Sequence, residues 1–154
     1  MENEQNVIIQ PELNVQFWHD SRMPYVETRQ ACQSRICYKA HSHTTFSIGA
    51  VDTGLSRFSS YLSAVEMIES GALVVIPAQV EHSCNPMPDQ AWSYQMMHLN
   101  ADWLAVLLSE TVREQIHASI PQLKPIVIKK PELYYAFTQL NRDLFNPEVD
   151  FREK

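Results

Sequence analysis

KAHSHTTFSIGAVDTG (residues 39–54) and SGALVVIPAQVEHSCN (residues 70–85) decide how this chain folds. They and the segment between them hold all three glycines, Gly49, Gly54 and Gly71, and three of the six histidines, His41, His43 and His82. A glycine after a short apolar run lets the chain turn without a Cβ clash, so Gly54 and Gly71 read as turns at strand ends. ALVVIPA is an unbroken apolar, β-branched run closed by Pro77, the pattern of a strand covered on both faces. His41 and His43 lie two apart, so in a strand they share a face, and His82 could join them from a neighbouring strand.

Working outward, NVQFWHD, YVETRQACQ and SRICYKA precede this stretch. FSIGAV, SRFSSYLS and VEMIE lie within it, the last two split at Ser63-Ala64, and AWSYQMMHL follows the Pro-rich loop NPMPDQ. Residues 14–99 thus read as closely spaced short strands, the signature of a β-sandwich or barrel. Residues 1–13 read as an N-terminal arm in which Val7-Ile8-Ile9 could pair as an edge strand. Residues 100–154 read as a helical extension. Asn100 is a good N-cap with Asp102 in the first turn. ADWLAVLLSE carries an apolar stripe at helical spacing. TVREQIHA suggests a second short helix, and PIVIK a strand returning to the sheet edge. Pro131 opens PELYYAFTQLNRDLF, with Leu133, Phe137, Leu140 and Leu144 on one stripe that could cover the barrel or form a dimer face. Asn146-Pro147 ends that helix, and EVDFREK reads as the first turns of another.

The chain has 154 residues, a one-domain length, and the composition of a soluble globular protein. Its formal charge of −6 argues against this chain gripping a phosphate backbone. No apolar run approaches the roughly 18–20 residues that span a bilayer. The opening MENEQNV is not a secretory signal. Cys32, Cys37 and Cys84 form no C-x-x-C pair, which points to a reducing cytoplasm rather than a disulfide framework. With three glycines and no G-x-S-x-G elbow, neither a phosphate-cradling loop nor a hydrolase nucleophile is in view.

The motif spacing is similar to that of the cupin barrel, a double-stranded β-helix or jelly roll. The first cupin motif runs His-x-His, three or four residues, Glu, six residues, Gly. Here it is His41-Ser42-His43, Thr44-Thr45-Phe46, then Ser47 where Glu belongs, then six residues to Gly54. The second runs Gly, five residues, Pro-x-Gly, two residues, His, then a nearby Asn. Here Gly71 leads to Pro77-Ala78-Gln79, His82 and, one residue early, Asn85. Together with WSYQMMHLNADWL, these motifs resemble the N-terminal effector-binding cupin domain of AraC-family transcription regulators over about residues 14–145. The resemblance implies a mainly β barrel followed by C-terminal α-helices, one of them a dimerisation helix. It implies a small-molecule effector, a homodimer, no enzyme activity and no cofactor. DNA would be bound only through a C-terminal helix-turn-helix region that this chain stops short of.

Two site readings stay open at this stage. In the first, a polar and aromatic pocket binds an effector. Trp92, Tyr94, Met96 and His98 alternate onto one strand face, while Ser93, Gln95 and Met97 take the other. His82 and Cys84 likewise share a face, and His41 and His43 complete the candidate set. Thr28 and Gln30 could add to it, and Lys39, His41 or Arg57 could meet an anionic group. In the second reading, His41, His43 and His82 bind Zn, Fe, Ni or Cu in a metal-dependent cupin enzyme, a dioxygenase or isomerase. Against this, Ser47 is a poor ligand where the motif has its carboxylate.

Overall fold

The computed structural model describes residues 6–10, 14–111 and 124–154, with backbone alone at 6–10 and 111. The strands are β1 (Asn6–Gln10), β2 (Val15–His19), β3 (Val26–Ser34), β4 (Phe46–Thr53), β5 (Leu55–Ser60), β6 (Ser63–Glu69), β7 (Leu73–Ile76), β8 (His82–Pro86), β9 (Trp92–Leu99) and β10 (Ile126–Ile128). Two helices, α1 (Ala101–Thr111) and α2 (Pro131–Phe145), follow the barrel strands. A seven-stranded sheet in the order β1-β2-β3-β9-β4-β7-β10 faces a three-stranded sheet in the order β6-β5-β8. The described pairings are antiparallel. PIVIK returns to the sheet edge as expected, since β10 pairs with β7 through Val127 and Val74.

The two sheets enclose an interior core of Val15, Ala31, Val51, Phe58, Ile68, Val74, Ile76, Trp92, Tyr94 and Met96. A second core lies on the outer face of the large sheet, where Trp18, Val26, Ala50, Leu73 and Met97 meet Phe137 and Leu144 of α2. β9 is therefore covered on both sides and is buried from Trp92 to His98. Its alternation sends Trp92, Tyr94 and Met96 inward and Met97 outward, as the sequence pattern predicts.

Gly54 and Gly71 sit at φ of +88° and +87°, each at a strand junction. A Cβ on Gly54 would lie 2.8 Å from the carbonyl oxygen of Ala91, whereas at Gly71 nothing lies within 4 Å. Gly54 is thus required by both conformation and space, Gly71 by conformation alone.

Four local expectations change. SRICYKA is not a strand: β3 ends at Ser34, and residues 35–40 run irregularly. Gln33 turns to a φ of 50°, the register slips between Ala31 and Ser34, and the Asn85 side chain takes over the pairing. Its Oδ1 accepts from the Tyr38 N–H at 2.7 Å and its Nδ2 donates to the Tyr38 carbonyl at 2.9 Å. The β5–β6 turn falls at Tyr61-Leu62, because Ser60 pairs with Ser63. EVDFREK yields only a 3₁₀ turn, Phe151–Glu153, capped by Asp150. The α2 stripe does not act as one face. Phe137 and Leu144 are buried, but Leu133 and Leu140 are each 42% exposed, and the buried row is completed by Asn141. The helix expected over 111–118 lies outside the described residues beyond Thr111, which ends α1.

Asn100 caps α1 as expected, its Oδ1 accepting from the Trp103 N–H at 2.9 Å. α2 is tied to the sheet by polar contacts. Asn141 donates to Gln95 Oε1 at 2.9 Å and accepts from the Thr28 hydroxyl at 2.7 Å. Gln95 donates to Asp52 Oδ1 at 2.7 Å, which also accepts from the Tyr134 hydroxyl at 2.7 Å. Thr28 thus serves the outer face of β3, not the interior. Gln30, two residues on, shares that face.

Candidate functional site in the barrel interior

The motif residues converge on the inside of the barrel. His41 forms an isolated antiparallel bridge with His82, its N–H donating to the His82 carbonyl at 3.0 Å and the reverse bond measuring 2.9 Å. The ring centroids of His41 and His43 are 4.8 Å apart, those of His41 and His82 4.8 Å, and those of His43 and His82 5.4 Å. One ligand nitrogen from each of the three lies within 4.8 Å of the other two. His98 stands beside them, its ring 4.8 Å from that of His43.

Hydrogen bonds orient these imidazoles. Nδ1 of His41 lies 2.7 Å from the Lys39 carbonyl, and Nδ1 of His82 lies 2.9 Å from the Val80 carbonyl. A carbonyl only accepts, so Nδ1 of each ring donates to it, which leaves Nε2 as the atom turned toward the other rings' side of the site. Ser47, in the position of the motif's acid, is 1% exposed and lies 2.8 Å from Nδ1 of His98. The turn that brings β8 back runs through Pro77-Ala78-Gln79. Gln79 adopts a φ of 65° where the motif has glycine, and its N–H donates to the His43 carbonyl at 2.7 Å.

Burial lowers the pKa of His43, His82 and His98. Desolvation, aided by the neighbouring His41, His82 and Arg29, brings the His43 pKa down to about 4. Desolvation, with His43 and Arg29, brings His98 to about 4 as well. Burial lowers His82, partly opposed by its bond to the Val80 carbonyl. The Cys84 thiol, 3.1 Å from the Ser56 hydroxyl, is pushed up by burial to about 11 and is not a nucleophile at neutral pH.

The structure brings together most of the sequence-predicted set. His82 and Cys84 lie on β8 and pair with Ser60 and Phe58 of β5. Trp92 and Tyr94 lie against each other, tilted by 31° with centroids 4.3 Å apart, and Met96 continues their face. His98, two residues on, also borders a surface cleft of about 380 Å³ with Tyr25, Thr45 and Asn100. Lys39 and Arg57, offered for an anionic group, are exposed instead. The residue that sequence reasoning missed is Arg29. It pairs across the sheet with Phe17 and Met96, both packed in or against the interior core, so it shares the inward face. Its guanidinium carbon lies 5.6 Å from the Tyr38 ring centroid and 5.5 Å from that of Tyr94. The available signal was its odd-numbered parity with Ala31.

The antiparallel two-sheet barrel with its histidine-bearing strands defines a cupin-class, double-stranded β-helix fold. An RmlC-like cupin family protein from Methanocaldococcus jannaschii has this fold at a TM-score of 0.52 and 9% identity, covering 68% of this chain and 99% of that one. ToxT from Vibrio cholerae aligns at a TM-score of 0.58 and 8% identity, covering 82% of this chain and 50% of ToxT, so the chain spans half the length of that protein. At these identities the likeness concerns the fold. No curated protein sequence matches the chain. A profile of the AraC-like ligand binding domain family matches residues 8–150, and the chain belongs to that family.

Proposed function

We propose that this chain is the effector-sensing domain of an AraC-type transcription regulator, holding a small molecule inside the barrel formed chiefly by residues 14–99. The observation that carries this is the inward row of His82, Cys84, Tyr94, Met96 and His98, polar and aromatic groups set in an apolar wall, as a ligand site requires. ToxT, an AraC-family regulator, supports the assignment through its fold. The acidic charge of −6 fits a domain that leaves DNA to a helix-turn-helix region outside this sequence. A homodimer through the helices of residues 100–154 is supported by the exposed apolar groups Val106 and Leu108 of α1 and Leu133, Tyr135 and Leu140 of α2. A reducing cytoplasm accords with the free thiols of Cys32, Cys37 and Cys84. No described helix is long and apolar enough to cross a membrane.

A thermal-shift screen of small metabolites tests this reading, since a binder stabilises by mass action. A hit is expected to lose its effect in Tyr94→Ala. In Gln95→Ala, on the opposite strand face, its increment should survive on a lowered baseline. Equal loss in both would defeat the pocket assignment.

One observation favours a second reading, a metal-dependent cupin enzyme. The three imidazoles of His41, His43 and His82 fit a divalent transition ion, and two of them have the carbonyl partners that metal-bound histidines keep. The fit is incomplete, because Ser47 is turned to His98 and Arg29 adds positive charge nearby. Stoichiometric iron or zinc in untagged protein, lost on His43→Ala, would establish this reading over the first.

A further inference from the structure

We propose that the effector is an organic carboxylate, its anionic group held by Arg29 between the rings of Tyr38 and Tyr94. The inference rests on the sensing reading above and names the chemical class of its ligand.

The interior is short of acceptors. Arg29 Nε, Tyr94 Oη and Trp92 Nε1 are all buried and have no hydrogen-bond partner among the described residues. Tyr94 is 2% exposed and Trp92 is 3% exposed. Nε–H of arginine and Nε1–H of tryptophan can only donate, and the tyrosine hydroxyl can also donate. Each orphan costs about 1–3 kcal/mol in a protein that keeps it unpaired, so the donor-only Arg29 Nε and Trp92 Nε1 on adjoining strands point to a ligand that accepts. Tyr38 stands close enough to act on the Tyr94 phenol both through charge and as a side-chain hydrogen-bonding neighbour, so the firm orphans are Arg29 Nε and Trp92 Nε1.

The interior also has a sign. The one ion pair among the described residues is Arg22 with Asp20, on the other side of the large sheet's outer core, so no described carboxylate neutralises Arg29. Its charge is felt at His43, His98 and Tyr94, each of whose pKa values it lowers. The Arg29 guanidinium is an inward cation, set between the Tyr38 and Tyr94 rings. The Tyr38 and Tyr94 faces are worth about 0.5–1 kcal/mol each as cation–π partners, far from replacing a counter-ion. One cation walled by Phe17, Trp92 and Met96 suits a monoanion with an apolar or aromatic body, and the planar fork of arginine matches a carboxylate.

The test pairs carboxylates with their neutral amides: benzoate against benzamide and hexanoate against hexanamide, by thermal shift and by titration calorimetry on the full chain. Carboxylates are expected to raise the melting temperature and the amides to leave it unchanged. Arg29→Met should weaken carboxylate binding about tenfold to a hundredfold, and Arg29→Lys less, since the charge stays and the fork is lost. The melting temperature of unliganded Arg29→Met should equal or exceed that of wild type, because a buried unpaired donor is removed. If Arg29→Met does not fold, Arg29 has a structural role and the inference is overturned. Amides binding as well as carboxylates, or carboxylate binding indifferent to Arg29→Met, also overturns it. So does a neutral metabolite that binds with Tyr94 dependence while all carboxylates fail, though sensing itself then survives. Failure of every compound, charged and neutral, brings down the sensing reading with it.

Discussion

Asn141→Ala should be the most damaging single polar substitution in α2. Asn141 is 0% exposed and spans the helix–sheet junction, donating to Gln95 Oε1 at 2.9 Å and accepting from the Thr28 hydroxyl at 2.7 Å. Truncation removes two bonds worth about 1 kcal/mol each. Thr28 retains the Met96 carbonyl, 3.2 Å away, as an acceptor. Gln95 Oε1 has no such alternative and is left buried and unpaired, at about 1–3 kcal/mol. The sum is about 3–5 kcal/mol, a large fraction of the ~5–15 kcal/mol that holds a domain together. At ~2–4 °C per kcal/mol for a domain of this size, the melting temperature should fall by about 6–20 °C. Urea unfolding should show a lowered midpoint with an unchanged slope. Gln139→Ala, which removes an exposed bond to Asp143, should stay within about 0.5 kcal/mol of wild type. A cost below about 1 kcal/mol for Asn141→Ala would mean that α2 is held by its apolar contacts alone, and the network argument would fail.

Three further outcomes follow from the same geometry. Because burial depresses His43 and His98 to about 4 in the folded state against 6.5 unfolded, the unfolded chain takes up protons first as pH falls. Stability should therefore be level above pH 6.5 and decline between pH 6.5 and 4, and a denaturation midpoint flat across that window would refute it. Gly54→Ala should cost clearly more than Gly71→Ala, whose penalty is the roughly 1 kcal/mol of a left-handed alanine, because only at Gly54 does the new Cβ strike backbone; equal urea midpoints would contradict this. If α2 carries a dimer contact, Leu140→Glu should convert dimer to monomer in sedimentation equilibrium without lowering the melting temperature by more than a few degrees, and an unaltered dimer would place the contact elsewhere.

Much of the fold was legible because its signals are local. The β-branched run of residues 72–78 gives β7, the alternation of residues 92–98 gives both faces of β9, and Asn100 and Pro131 mark where the helices begin. The misplaced polar residues share a cause, which is that burial does not follow apolarity alone. On α2, the apolar stripe alone does not say which of its leucines cover the barrel, and the helix turns Tyr134, Thr138 and Asn141 to the sheet beside Phe137 and Leu144. Those groups are acceptable there only because Asp52, Gln95 and Thr28 on separate strands meet them, and no local pattern reports a partner 40 or more residues away.

The same blindness hid Arg29. In VETRQACQ each parity mixes apolar and polar residues, Val26 and Cys32 on one and Ala31 on the other, so the parity shared with Ala31 is a weak signal, and a lone arginine reads as solvent-facing. Its orientation is set by the cross-strand neighbours Phe17 and Met96, which come from two other parts of the chain. Once it is placed, the motif histidines take on a different chemistry. The acid that would anchor a cation is replaced by Ser47, which steadies His98, while an arginine enters from β3. Reversing the charge beside the imidazoles makes the site poorer for a metal ion and richer for an anion. The serine lies at a position the spacing motif does weigh, whereas the inward arginine lies outside both motifs, so the fold alone does not fix the chemistry of the site.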